Sequence, residues 1–241
     1  MLIVDIGNNH FGSIESAKDH IKAAQEAGAD MAKLQAFVPG DFEGSMPDAF
    51  YDKCALSFDE YKDLIEYGES IGMPVFYSIF NMGLLELDNY TEYSKLAAWQ
   101  VNEAGDDLLK ELDDAFIIMS INAKCENLPN LQEAIILYAT EYNCDDPTLE
   151  RLALLQRFYK RPIGLSDHSE GIDTCVSAIQ LYEVPVIEKH FTIEKNMKFN
   201  GEVFRDTVHA ADFTEMQVLA KYFKKQKETY KGVNSALFSM Q

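Results

Sequence analysis

The chain has 241 residues and a net charge of −19 at pH 7, from 21 basic and 40 acidic side chains. So acidic a protein is repelled by nucleic acid and by anionic membrane, so neither is expected as a partner, and an anionic small molecule must be drawn in by a local cluster of cations. Cys54, Cys125, Cys144 and Cys175 form no C-x-x-C pair and no apolar run approaches a bilayer span, which predicts reduced thiols in a cytoplasmic, unexported chain.

The predicted elements alternate from the N-terminus onward. A strand at residues 2–6 is followed by a helix at 13–27, which opens on Ser13 with a glutamate behind it and closes at Gly28. A strand at 31–37 precedes a helix at 57–71 that closes at Gly72, and strands follow at 74–80, 93–99 and 115–121. Residues 128–140 compress a helix and a strand at 134–140, with an ambiguous boundary between them. Strands at 162–167 and 185–191 complete a set of eight, and Phe213, Met216, Ala220 and Phe223 repeat at helical spacing in a last helix with a lysine-rich end. Regular βα alternation implies a parallel sheet, and eight units is the number that closes an α/β TIM barrel, here expected as one domain over residues 1–241. An open doubly wound sheet is the alternative.

In such a barrel the reactive groups collect at the C-terminal strand ends, so polar residues there carry the information. Asp5 leads into Asn8, Asn9 and His10; the next strands bring Lys33 and Gln35, Ser78 and Asn81, Lys95, Ser120 and Asn122, then Thr140, Glu141 and Tyr142. Buried ammonium groups are costly without an anion, so Lys33 and Lys95 face either a bound phosphate or carboxylate, or structural partners such as Asp5 and Glu188. Side chains two apart share a strand face, which pairs Ser166 with His168 and Glu188 with His190, and turns Lys189 toward the helices. Two histidines at matching ends of neighbouring strands suit a divalent cation with open positions, manganese first and magnesium as the alternative. His10 touches ligand or caps a turn, while His20 and His209 read as surface residues.

Three segments then carry a resemblance. Residues 4–37, VDIGNNHFGSIESAKDHIKAAQEAGADMAKLQAF, resemble the E-I-G-x-N-H-x-G, A-G-A-D and K-x-Q opening of sialic acid synthases; PIGLSDHSEG at 162–171 and VIEKHFTIEK at 186–195 resemble the same family's G-L-S-D-H and E-K-H-F-T segments. The resemblance implies a barrel that condenses phosphoenolpyruvate with an open-chain N-acetylated amino sugar, releasing phosphate and forming a 2-keto sugar acid. It also implies His168 and His190 as metal ligands, Lys33 and Lys95 neutralising the donor, and Gln35, Ser78, Ser120, Tyr142, Ser166, Asn9 and His10 around the substrates. Asp5 or Glu188 is the expected proton carrier, and a homodimer is left open.

Departures from the pattern bear on the substrate. Asp5 stands where the family has Glu, Ala98 replaces a serine, Glu141 falls near a family asparagine and Val203 on a sugar-associated aspartate, for which Glu202, Arg205 or Asp206 are the replacements at hand. The family's usual antifreeze-like domain has no counterpart before Gln241, so a more open site and a different acceptor are expected. Two other readings accompany the synthase: a pyruvate-using aldolase or lyase on the same barrel, and a non-catalytic binder of sugar acids.

Overall fold

The computed structural model describes residues 1–42, 48–102, 116–122, 134–141, 149–199 and 201–230. Eight strands close a barrel in chain order: β1 (Leu2–Gly7), β2 (Met31–Ala36), β3 (Val75–Ile79), β4 (Tyr93–Leu96), β5 (Phe116–Ile121), β6 (Ile135–Ala139), β7 (Gly164–Asp167) and β8 (Ile187–His190). All neighbours are parallel, and β8 returns to β1 with His190 opposite Asp5, so the open-sheet alternative is excluded. Around the barrel lie α1 (Ile14–Ala27), α2 (Asp48–Cys54), α3 (Phe58–Ile71), α4 (Glu150–Tyr159), α5 (Asp173–Tyr182), α6 (Arg205–His209) and α7 (Phe213–Tyr230). A 3-10 segment, Met82–Tyr90, joins β3 to β4, and a small hairpin of β9 (Lys198–Phe199) and β10 (Glu202–Val203) follows β8.

Strand alternation sorts the side chains into two cores. Outward residues such as Leu2, Val4, Ile6, Leu34 and Tyr77 pack against Ile21, Leu64 and Met216 of the helices. Inward residues Ile3, Met31, Phe76, Ile118, Leu137 and Val186 fill the barrel floor. Gly164 makes this floor possible, because a Cβ there would lie 2.5 Å from Leu137 Cδ2 and 2.6 Å from the Val186 carbonyl oxygen. One step further along every strand but β6, which has Ala139 there, the inward positions turn polar: Asp5, Lys33, Ser78, Lys95, Ser120, Ser166 and Glu188 are all buried.

The predicted helix signals operate as local chemistry. Ser57 accepts from the Glu60 N–H while the Glu60 carboxylate accepts from the Ser57 N–H, a complete capping box, and Gly72 ends α3 in the left-handed region at φ 76°. The predicted strand at 93–99 stops at Leu96 instead, because the Gln100 side chain accepts from the Ala97 N–H and donates to the Ile79 carbonyl, turning the chain into a helix. Asn81 likewise lies beyond β3, capping the 3-10 segment through the Gly83 N–H.

Candidate functional site

The polar layer at the C-terminal mouth joins four charged groups. Lys33 Nζ donates to Asp5 Oδ2 at 2.8 Å and to Ser78 Oγ at 3.3 Å. Lys95 Nζ donates to Ser120 Oγ at 2.8 Å and to its neighbour's carbonyl, that of Leu96, at 3.1 Å. Between the ammoniums sits Glu188, with Oε1 3.9 Å from Lys33, Oε2 3.8 Å from Lys95, and a 2.9 Å hydrogen bond from Ser166 Oγ to Oε1. Glu188 Oε2 is buried without a hydrogen-bond partner. Lys33 thus has the carboxylate partner that the structural reading required, whereas among the described residues Lys95 meets carboxylate oxygen only at 3.8 Å.

Electrostatics follow from this crowding. Burial alone would raise the Asp5 carboxyl, but the charges of Lys33, His190 and Lys95 outweigh it and hold it at about 2. Lys33 is raised, since Asp5 and Glu188 overcome a burial penalty that works the other way. Lys95 falls to about 8, driven by burial and by Lys33, with Glu188 only partly opposing. The layer therefore holds a fixed carboxylate, a fixed ammonium and a second amine lowered to about 8.

Both histidines of the sequence pattern reach the same rim, with ring centroids 5.6 Å apart and planes inclined by 60°. His168 is lowered to about 3 by burial and by the neighbouring His190, so its imidazole is neutral at pH 7. A carbonyl oxygen can only accept, so the 3.0 Å approach of His168 Nδ1 to the Thr140 carbonyl places the ring hydrogen on Nδ1 and a lone pair on Nε2. His190 Nδ1 is buried with no hydrogen bond, 3.7 Å from Asp5 Oδ2. At this separation His168 and His190 are the two side chains that would hold a divalent ion. Among the described residues no group of three His, Cys, Asp or Glu side chains is set to hold a metal, so the remaining positions would be filled by water or substrate oxygen.

The β1–α1 loop is more structural than its motif suggests. His10 Nδ1 accepts from the Gly12 N–H at 3.1 Å, which caps a turn, while its Nε2 is buried without a partner; burial, then His20, lowers this ring to about 4. Asn9 donates to the Phe191 carbonyl at 2.8 Å, fastening the loop to the end of β8. Asn8 donates to Gln35 Oε1 at 2.9 Å, which ties Gln35 to the rim. Beside the mouth, Phe37, Phe50 and Phe204 form an aromatic wall with Phe11 and Phe42, Phe50 stacking on Phe204 at 3.9 Å.

Several expectations are corrected by position. His20 and His209 are buried, not surface residues. His20 donates from Nδ1 to the Ser16 carbonyl and accepts from the Ile193 N–H, because its helix face is covered by the segment after β8. Glu141 is exposed and brings no negative charge into the mouth. Val203 is 40% exposed on β10. Of its three suggested replacements, Asp206 is buried, with Oδ2 3.3 Å from the point where a Cβ on Gly7 would stand and the His190 ring 3.4 Å from that point. Nothing in the spacing around Asp206 announces this; it follows from the path of the chain after β8. Tyr142, Cys125 and Cys144 lie outside the described residues.

Comparison with known proteins adds the ancestry. An uncharacterized protein of Methanocaldococcus jannaschii is 28% identical over 218 residues, covering 82% of this chain and 63% of that protein. N,N'-diacetyllegionaminic acid synthase of Campylobacter jejuni is 26% identical over 235 residues, covering 82% and 69% respectively. The chain thus spans 63% and 69% of the lengths of these two relatives. The crystal structure of N-acetylneuraminic acid synthetase from Leptospira borgpetersenii, in complex with citrate, shares the fold with a TM-score of 0.80 at 22% identity, over 97% of this chain and 86% of that one. The NeuB family model matches residues 20–234, from α1 through the last helix and across Lys33, Lys95, His168 and His190, and the chain belongs to the NeuB family.

Proposed function

We propose that this barrel condenses phosphoenolpyruvate with the aldehyde of an open-chain N-acetylated amino sugar or related aldose, giving a 2-keto sugar acid and phosphate. The observation that carries the reading is the convergence of two buried lysines and two imidazoles on one rim, in a chain similar to an N,N'-diacetyllegionaminic acid synthase. Lys33 and Lys95 neutralise the donor's phosphate and carboxylate, and the hydroxyls of Ser78, Ser120 and Ser166 add hydrogen bonds in a site shielded from water. Glu188, with one oxygen unpartnered between the two ammoniums, takes and returns the proton of the water that adds to the donor carbon. His168 and His190 would hold a divalent ion, manganese before magnesium, which supplies Lewis-acid polarisation of the aldehyde oxygen. Asp5 fixes the Lys33 ammonium and lies 3.7 Å from His190 Nδ1.

The test mixes purified protein, manganese and phosphoenolpyruvate with a panel of aldoses and follows free phosphate. Release that depends on the sugar and disappears in the His168→Ala/His190→Ala double variant is the expected result; activity undiminished in that variant refutes the metal role. A second reading draws on the Lys95 amine, lowered to about 8 by burial, which suits a Schiff base with pyruvate in an aldolase or lyase reaction. Borohydride trapping of a pyruvate adduct on Lys95, with no sugar-dependent phosphate release, would favour it.

A further inference from the structure

Behind the rim, on the helix-facing side of β7 and β8, lies a buried ion pair that the proposed chemistry does not use. Lys189 Nζ donates to Asp167 Oδ2 at 2.7 Å, and both side chains are wholly inaccessible. The same ammonium donates to the Ser169 carbonyl at 2.5 Å. Asp167 and Ser169 are the two neighbours of His168, and Lys189 immediately precedes His190. One ammonium therefore grips the chain on both sides of the first histidine from a position next to the second.

The carboxylate is fully engaged. Asp167 accepts from Ser169 Oγ at 2.8 Å, from the Ser169 N–H at 3.1 Å and from the Cys175 thiol on α5 at 3.3 Å. Thr140 continues the network into the site: its hydroxyl approaches Asp167 Oδ1 at 3.5 Å and accepts from the His168 N–H at 2.7 Å, and its carbonyl holds His168 Nδ1. A buried pair of this kind is weak as a source of stability, since an apolar pair of the same size avoids the desolvation cost. What it supplies is geometry.

We infer that the Lys189–Asp167 pair, working through Thr140, is a positioning device for the two histidines: it fixes the offset between the ends of β7 and β8 and locks the His168 ring through its Nδ1. The inference rests on the metal-ligand reading of His168 and His190. Ligand-orienting partners of this kind change metal affinity by about 10- to 100-fold when removed.

Two variants of the whole chain test it. Asp167→Leu/Lys189→Met replaces the ion pair by an apolar pair, and Thr140→Val removes the hydroxyl that links the pair to His168. Manganese binding is measured by calorimetry. In metal-free protein, long-range 1H–15N correlation reads the ring hydrogen of His168, which is expected on Nδ1 in the wild type. The expected outcome is a loss of about 10- to 100-fold in manganese affinity, with His168 passing to a mixture of tautomers. Folded variants that keep wild-type affinity and a single Nδ1–H signal overturn the inference, and Thr140→Val decides the matter if the double variant does not fold. A wild type that binds no manganese removes the metal reading, while the tautomer signal still judges the positioning.

Discussion

Lys95 is the residue in which burial and function are most tightly opposed. Its ammonium lies among a hydroxyl, a carbonyl and a carboxylate at 3.8 Å, and burial lowers it to about 8. A bound dianion favours the charged form and raises that value, so affinity is complete below about pH 8 and falls as the pH rises through it, by up to about tenfold per unit. Calorimetric titration of phosphoenolpyruvate between pH 7 and 9.5 should show this break, and Lys95→Met should lose both the affinity and the break. A pH-independent affinity in the wild type would mean that Lys95 does not meet the donor. Individual residues at this scale were partly legible from alternation: the inward run of Asp5, Lys33, Ser78, Lys95, Ser120, Ser166 and Glu188 follows from strand parity alone. Buried His20 and His209, and Asp206 beside His190, did not follow, because their burial depends on which loop covers them rather than on local spacing.

At the scale of elements, the strands pack only as closely as their smallest inward residues permit. Gly164 faces the barrel floor with no room for a methyl group, the obstruction being partly backbone, so Gly164→Ala should cost about 1–3 kcal/mol and lower the thermal midpoint by several degrees. Gly72→Ala provides the contrast. Its Cβ would meet nothing within 4 Å, and only the left-handed backbone at φ 76° is penalised, by about 1 kcal/mol. Scanning calorimetry of the two variants separates packing from backbone strain, and equal losses would contradict the packing argument. Caps and closing glycines of α1 and α3 were readable because they are chemistry between residues three or four apart. The end of β4 was not, since Gln100 stops it by bonding to a carbonyl on β3, a contact that exists only after the strands have paired.

For the molecule as a whole, a net charge of −19 opposes compaction. Raising ionic strength from about 0.01 M to 0.15 M shortens the screening length from about 30 to about 8 Å, so the thermal midpoint should rise with sodium chloride. A fall would show that the exposed ion pairs, such as Lys18 with Asp63, outweigh the general repulsion. Inside this acidic shell the buried Lys33 and Lys95 share one mouth of the barrel, where the proposed anionic donor would meet its partner charges. From the sequence by itself came the eight-fold βα alternation, the face of each strand, and the histidine and lysine positions at the strand ends, because periodicity and capping are local properties of the chain. Tertiary structure alone decided that the sheet closes, that Lys33 is matched by Asp5 while Lys95 is left with a distant carboxylate, and that Lys189 and Asp167 clasp the histidine strands from behind. Those outcomes depend on register between segments far apart in the chain, and register is set by packing rather than by any residue's neighbours.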